Sequence, residues 1–199
     1  MDSIVEVVAN GRQVVLRPFR YEDADYARMV RWLSDPRVLE WYEGRDNPFD
    51  LAMVLAEFGP VGEHARDGVL QTIIERDGES IGYVQYYPVG AWAAGYEIED
   101  ATDTWAIDLF IGEPEYWSGG IGGALLAALI AHLFKKENAM RVLIDPRVVN
   151  ERGIRAYEKA GFRKVKVLRD HELHEGRKWD NWLMEALAPQ PKRQRQAGT

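Results

Sequence analysis

The chain has 199 residues, 46% of them hydrophobic and 29% charged, which is a globular composition of single-domain size. It contains no cysteine, and this excludes disulfides, thiolate metal sites and a covalent acyl-cysteine intermediate. The net charge of −7, from 32 acidic against 25 basic residues, disfavours nucleic acid as a partner and suits a cationic one.

Residues 1–6 lack the basic and apolar regions of a signal peptide. The longest apolar run, residues 121–134, carries His132 and is too short to span a bilayer. A soluble, cytoplasmic protein is the expectation.

In chain order, residues 13–18 read as a first strand stopped by Pro18, and residues 22–33 as an amphipathic helix with Ala24, Ala27, Val30 and Leu33 at helical spacing. Asp35-Pro36 starts a short helix, Glu40-Trp41-Tyr42-Glu43-Gly44 leads into a loop, and residues 51–65 read as one further helix. Residues 68–76 and 79–87 form two strands whose Asp77-Gly78 link is a strong hairpin signal. An aromatic and acidic loop, residues 90–103, precedes the apolar run 105–111, which carries one carboxylate, Asp108. After a turn through Pro114 come Ser118-Gly119-Gly120-Ile121-Gly122-Gly123 and a helical run from Ala124. The pattern continues with a strand at 140–144, a helix opened by Asn150 and closed by Gly161, and strands at 163–168 and 178–187. Residues 1–188 read as one domain, and 189–199 as a polar tail of disordered composition.

A strand, a glycine-rich loop and a helix in that order present unpaired N–H groups at the positive end of a helix dipole, an arrangement that binds phosphate. No Gly-Lys-Ser/Thr closes the loop, so a P-loop is excluded. A dinucleotide fingerprint fits poorly, because Leu125 stands where a small third residue is needed. Coenzyme A is the third candidate, with its pyrophosphate on Gly119 to Gly123.

The stretch from Asn150 to Phe162, Asn-Glu-Arg-Gly-Ile-Arg-Ala-Tyr-Glu-Lys-Ala-Gly-Phe, adds a second signature. Together the two resemble the GNAT superfamily of acyl-CoA-dependent N-acetyltransferases, whose glycine loop reads (Gln/Arg)-x-x-Gly-x-(Gly/Ala). Their later motif reads Asn-x-x-(Ala/Gly)-x-x-x-Tyr-x-Lys-x-Gly-Phe. Trp117 departs from that pattern by occupying the Gln/Arg position.

The resemblance implies an α/β (α+β) fold, a mixed and mostly antiparallel central sheet flanked by helices. It implies acetyl-CoA as donor, lying along Leu109, Phe110, Ile111, Trp117, Ser118, Gly119, Gly120, Ile121, Gly122 and Gly123, with Asn150, Tyr157 and Lys159 opposite. In such proteins the sheet opens just after the Asp108 position. The Leu109 N–H would then face the thioester oxygen, and Tyr157 would serve the departing thiolate; no metal is expected.

Asp108 lies in an apolar strand, where a carboxylate is costly without a task or a partner. It either accepts the amine's proton or is a satisfied structural carboxylate. Asn150 fits both a helix cap and a contact to the pantetheine arm, and Tyr157 fits core packing beside Ile154 as well as catalysis.

Glu40-Trp41-Tyr42, the run from Ile81 to Tyr87, Ile107-Asp108 and Asp145-Pro146 resemble the aminoglycoside 6′-N-acetyltransferase branch, whose members confer antibiotic resistance. That resemblance puts Trp41, Tyr42, Gln85, Tyr87, Asp108 and Asp145 around a cationic amino-sugar. Glu97 and Glu99, beside Trp92, Tyr96 and Trp105, are added from the acidic loop, whose other reading is a solvated surface. Gly95-Tyr96 stands where the branch carries a Trp-Trp pair.

A protein N-terminus, a polyamine or a siderophore amine are alternative acceptors, and a CoA-binding module without turnover is a further reading. Monomer and homodimer both remain open. His171-Glu172-Leu173-His174 is one residue short of His-Glu-x-x-His and is expected on the surface, in a hairpin loop.

Overall fold

The computed structural model describes residues 3–189, so residues 190–199 of the expected tail lie outside it. One eight-stranded sheet runs through the chain in the order β1-β2-β3-β4-β5-β6-β8-β7. Its strands are β1 (Val5–Ala9), β2 (Arg12–Pro18), β3 (Leu70–Arg76), β4 (Glu79–Pro88), β5 (Thr104–Ile111), β6 (Arg141–Ile144), β7 (Arg163–His174) and β8 (Arg177–Leu187). Every neighbouring pair is antiparallel except β5 and β6, which run parallel, so the sheet is mixed and mostly antiparallel as expected.

Alternation along the strands sends side chains to the two faces of the sheet. Leu16, Ile74, Val84, Ile107 and Met184 pack against α5 (Ile121–Lys136) and α6 (Glu151–Ala160), where Leu125, Leu126, Leu129, Leu133 and Ile154 meet them. Ile73, Tyr83 and Phe110 face the other way, onto α1 (Asp23–Trp32), α2 (Pro36–Leu39) and α3 (Leu51–Phe58). No helix among the described residues is long and apolar enough to cross a membrane.

Four boundaries differ from the sequence reading, each for a local reason. A strand precedes the expected first one: β1 pairs with β2 through a turn at Asn10-Gly11, both with positive φ (51° and 72°). The helix expected over 51–65 stops at Phe58, since Pro60 follows, and α4 (Glu63–Arg66) is a separate turn. Gly59 permits that stop, because a Cβ there would lie 2.3 Å from the Leu55 carbonyl oxygen. Helix α5 begins at Ile121, not after Gly123, and takes Gly122 and Gly123 into its first turn. Finally, β7 runs on to His174, so the His-Glu-Leu-His stretch is strand, and the turn falls at Glu175-Gly176.

A buried ion cluster fixes α1 to the sheet. Asp25, 2% exposed, accepts two hydrogen bonds from Arg17 (2.7 and 2.6 Å), one from Arg28 (2.9 Å) and one from the Arg20 N–H (3.0 Å). Arg17 also donates to Glu75 at 2.6 Å. Burial alone would raise the Asp25 carboxyl, but these bonds and the Arg17 and Arg28 charges outweigh it and hold it below its usual range. Such a depressed carboxylate stabilises the fold above its unfolded pKa and loses that contribution as pH falls through its folded one. Asp25→Asn is expected to cost about 3 kcal/mol in urea unfolding at pH 7, and the penalty should shrink steadily on acidification below about pH 4.

Candidate active site

The site is set by where β5 loses a neighbour. Its parallel pairing with β6 covers only Thr104–Ala106 against Arg141–Leu143, while its antiparallel ladder with β4 continues to Ile111. The Gly112 N–H donates to the Ile81 carbonyl and the Val89 N–H to the Thr104 carbonyl, at opposite ends of that ladder. Alternation between those anchors turns the N–H groups of Ala106, Asp108 and Phe110 toward β4. The N–H groups of Leu109 and Ile111 therefore face the side where β6 has ended.

Two cavities meet at that parting. The first, about 430 Å³, is lined by the expected donor residues: Leu109, Phe110, Ile111, Trp117, Ser118, Gly119, Gly120, Ile121, Gly122, Gly123, Asn150, Tyr157 and Lys159. Gly120, at φ +72°, turns the chain into α5, and no side chain caps that helix. The Ala124 N–H makes the first intrahelical bond, to the Gly120 carbonyl. The N–H groups of Ile121, Gly122 and Gly123 thus remain at a cavity wall with the dipole's positive end behind them. Asn150 caps α6, its Oδ1 accepting from the Gly153 N–H at 3.0 Å. Arg152 and Arg155 line this cavity too and were missed, because nothing in the glycine loop signals cations supplied from another helix.

The second cavity, about 360 Å³, shares Trp41, Leu109, Asn150 and Tyr157 with the first. It holds the expected Tyr42, Gln85, Tyr87, Asp108 and Asp145. Asp108 Oδ2 accepts from Gln85 Nε2 at 2.9 Å and from the Tyr87 hydroxyl at 3.2 Å. Both partners are braced in turn: Tyr83 donates to Gln85 at 3.0 Å, and the Tyr87 and Tyr96 hydroxyls bond at 2.9 Å. Asp145 Oδ2 accepts from His171 Nε2 at 3.0 Å, and its carbonyl accepts from Asn181 at 2.6 Å.

Glu97 and Glu99 do not join them. Glu97 pairs with Lys166 at 3.0 Å and Glu99 is exposed, so both sit outside the two cavities; of their loop only Tyr96 reaches the site. The carboxylates beside Asp108 and Asp145 come instead from Glu43, Glu57 and Glu172.

Glu172 and His174 correct the surface reading of their motif. Glu172 accepts from Asn181 at 2.7 Å, and His174 lies between the Glu43 carbonyl (2.7 Å) and the Glu172 carboxyl (3.0 Å). Extending β7 past Leu168 carries them over the cavity. Nearby, Arg45 Nη2 donates to Glu175 at 2.8 Å and Arg147 to the Glu40 carbonyl, tying the β7–β8 turn and the cavity floor to the 40–47 loop.

Crowding acids into a dry space raises them. Asp108 is pushed up to about 7, mainly by burial and then by the Asp145 charge, with the Gln85 and Tyr87 bonds opposing. Burial and the Glu43 charge take Glu57 up to about 8, and burial lowers His64 beside it to about 4. Burial keeps the Tyr157 hydroxyl protonated far above neutrality.

Such a site can bind cations against carboxylates and accept a proton near neutral pH. The family described as the acetyltransferase (GNAT) domain matches residues 22–169. The chain is 32% identical over 141 residues to the aminoglycoside N(6′)-acetyltransferase type 1 of Klebsiella pneumoniae and of Serratia marcescens, covering 70% of this chain and 70% of each relative. It is 32% identical over 114 residues to an N-alpha-acetyltransferase of Sulfurisphaera tokodaii, covering 57% of this chain and 66% of that one. Among solved structures, AAC(6′)-Ib in complex with ribostamycin and coenzyme A superimposes with a TM-score of 0.74 at 27% identity, over 93% of this chain and 99% of that chain. The parted β5–β6 edge and the match through both signatures agree, and the chain belongs to the GNAT family of acetyltransferases.

Proposed function

We propose that this protein transfers the acetyl group of acetyl-CoA to the 6′-amine of an aminoglycoside, by direct attack with both substrates bound, and so confers resistance. The observation that carries the reading is a cavity lined by five carboxylates, Asp108 among them, that meets the glycine-loop cavity at Leu109 and Tyr157. A polycationic sugar answers the charge, and Trp41, Tyr42 and Tyr87 offer faces on which a ring can lie. Relatives named for this activity on aminoglycosides support it.

Acetyl-CoA, when bound, supplies an activated acetyl thioester. Asp108 binds the acceptor's ammonium and takes its proton, directly or through water, and a base with pKa about 7 is matched to that task. The Leu109 N–H, free of the β4 ladder, is placed to donate to charge developing on an oxygen at the junction. Tyr157 holds a proton there, because burial keeps its hydroxyl neutral. The archaeal N-alpha-acetyltransferase relative makes a polypeptide α-amine the second acceptor to assay.

Thiol release from acetyl-CoA should be seen with kanamycin or ribostamycin, and expression in a susceptible strain should raise the inhibitory concentration of the drug. Turnover on a peptide amine with none on any aminoglycoside would replace the acceptor, and CoA binding without turnover on any amine would leave a binding module. Tyr157→Phe is expected to slow single-turnover acetyl transfer by about tenfold or more. An unchanged rate would make Tyr157 a packing residue.

The acidic limb of kcat/KM against pH should lie near 7 in the parent. It should move to lower pH in Asp145→Asn, which removes a charge that raises Asp108. A limb that stays in place would separate Asp108 from the titration. Asp108→Asn should abolish most turnover yet stabilise the fold. A carboxyl raised on folding contributes stability below its unfolded pKa and loses it as pH climbs through about 7. Urea unfolding at pH 8 is therefore expected to show a gain on the order of 2–4 kcal/mol for the variant, vanishing near pH 4.

A further inference from the structure

The glycine loop of this chain carries Trp117 where the family motif has Gln or Arg, and Gly119 adds no side chain, which leaves a gap in the loop's polar groups. The structure shows what surrounds the gap. The Trp117 indole is anchored, its Nε1 donating to the Ile111 carbonyl at 2.8 Å, and its face lies under a guanidinium from another element. The Arg152 Cζ sits 4.3 Å from the Trp117 ring centroid and 5.9 Å from that of Trp41.

Contact through the plane of a guanidinium uses its face and leaves its in-plane N–H groups unspent. Among the described residues Arg152 has no ion pair and no hydrogen bond through those groups. Its neighbour one turn on, Arg155, is by contrast paired with Glu151 at 3.2 Å. Arg152 lines the same cavity as Gly119 to Gly123, and its charge acts on Tyr157 at the junction.

We infer that Arg152, held over the Trp117 indole and close to that of Trp41, is the cation that receives the donor's diphosphate. The loop then supplies backbone N–H groups from one side and α6 supplies a fork of charged donors from the other. Two N–H groups in one plane match two phosphate oxygens, which a lysine's single point of charge does not. Trp117 is thereby a platform. Anchored through its Nε1, it fixes the direction of a cation supplied by α6.

The inference rests on the donor half of the proposed reaction and needs no acceptor to test. Calorimetric titration of the whole protein with CoA and with dephospho-CoA, which keeps the diphosphate and lacks the 3′-phosphate, reads it directly. Arg152→Met is expected to weaken both ligands equally, by about tenfold to a hundredfold, the range of a charged hydrogen bond. Arg152→Lys should recover part of the loss. Trp117→Leu should weaken CoA in the parent but add little in the Arg152→Met background, since the platform then has nothing to hold. Unchanged CoA affinity in Arg152→Met would overturn the assignment, as would a loss confined to CoA, which would move the contact to the 3′-phosphate. Failure of the parent itself to bind CoA would instead overturn the donor reading beneath it.

Discussion

Strands β5 and β6 hold together for three residue pairs and then part, and nearly everything chemical in this protein follows from that separation. Inside a continuous sheet both edges of β5 would be spent on ladder bonds. Here one edge stays bonded to β4 as far as Ile111, which keeps the strand straight and fixed, while the other gives Leu109 and Ile111 free N–H groups in a sheltered cleft. An unpaired buried amide is costly, so it persists where the surroundings enforce it. The enforcement comes from both ends: Gly112 is bonded back to Ile81, and Trp117 closes over the Ile111 carbonyl. A Cβ at residue 112 would stand 2.3 Å from the buried Trp32 ring, so any residue but glycine there would have to displace it.

The acidic cavity shows how such a cleft raises a carboxylate. A carboxylate on a half-buried strand would normally be neutralised by a cation, as Asp25 is by Arg17 and Arg28. Asp108 instead receives neutral donors, Gln85 and Tyr87, and faces another acid, Asp145. Hydrogen bonds from neutral groups orient it without removing its appetite for a proton. The same chain therefore contains two buried aspartates with opposite shifts, one lowered by the ion pairs that hold α1 and one raised by burial and by a neighbouring acid. The first is a structural use of charge and the second is bought at the expense of stability.

The donor half was legible because its signals are local. Glycines in a loop, an N-cap at Asn150 and a tyrosine two turns into α6 are all readable within a few residues, and each lines the cavity expected of it. The acceptor half was legible through the branch resemblance at Trp41, Tyr42, Gln85, Tyr87, Asp108 and Asp145, all of which line the second cavity. Glu57 lies on α3 and Glu172 on the far end of β7, and neither neighbourhood indicates which face folds over the cleft. Proximity in sequence also misled: Glu97 and Glu99 stand close to the central strand, yet one left-handed residue at Glu97 (φ 50°) and the Lys166 pair keep that loop turned away. The helix expected over 51–65 is broken at Gly59-Pro60, and that break lets His64 come back against Glu57.

The tie between the 40–47 loop and the β7–β8 turn is built from segments some 130 positions apart, through His174 with Glu43 and Arg45 with Glu175. It works as a clasp, joining two otherwise independent rims into one ring around the opening. Both halves of the clasp carry walls of the acidic cavity, Trp41, Tyr42 and Glu43 on one and Glu172 and His174 on the other. Lengthening or shortening either segment would therefore shift Glu43 and Glu172 together, changing the acidic wall of the cavity along with the width of its mouth.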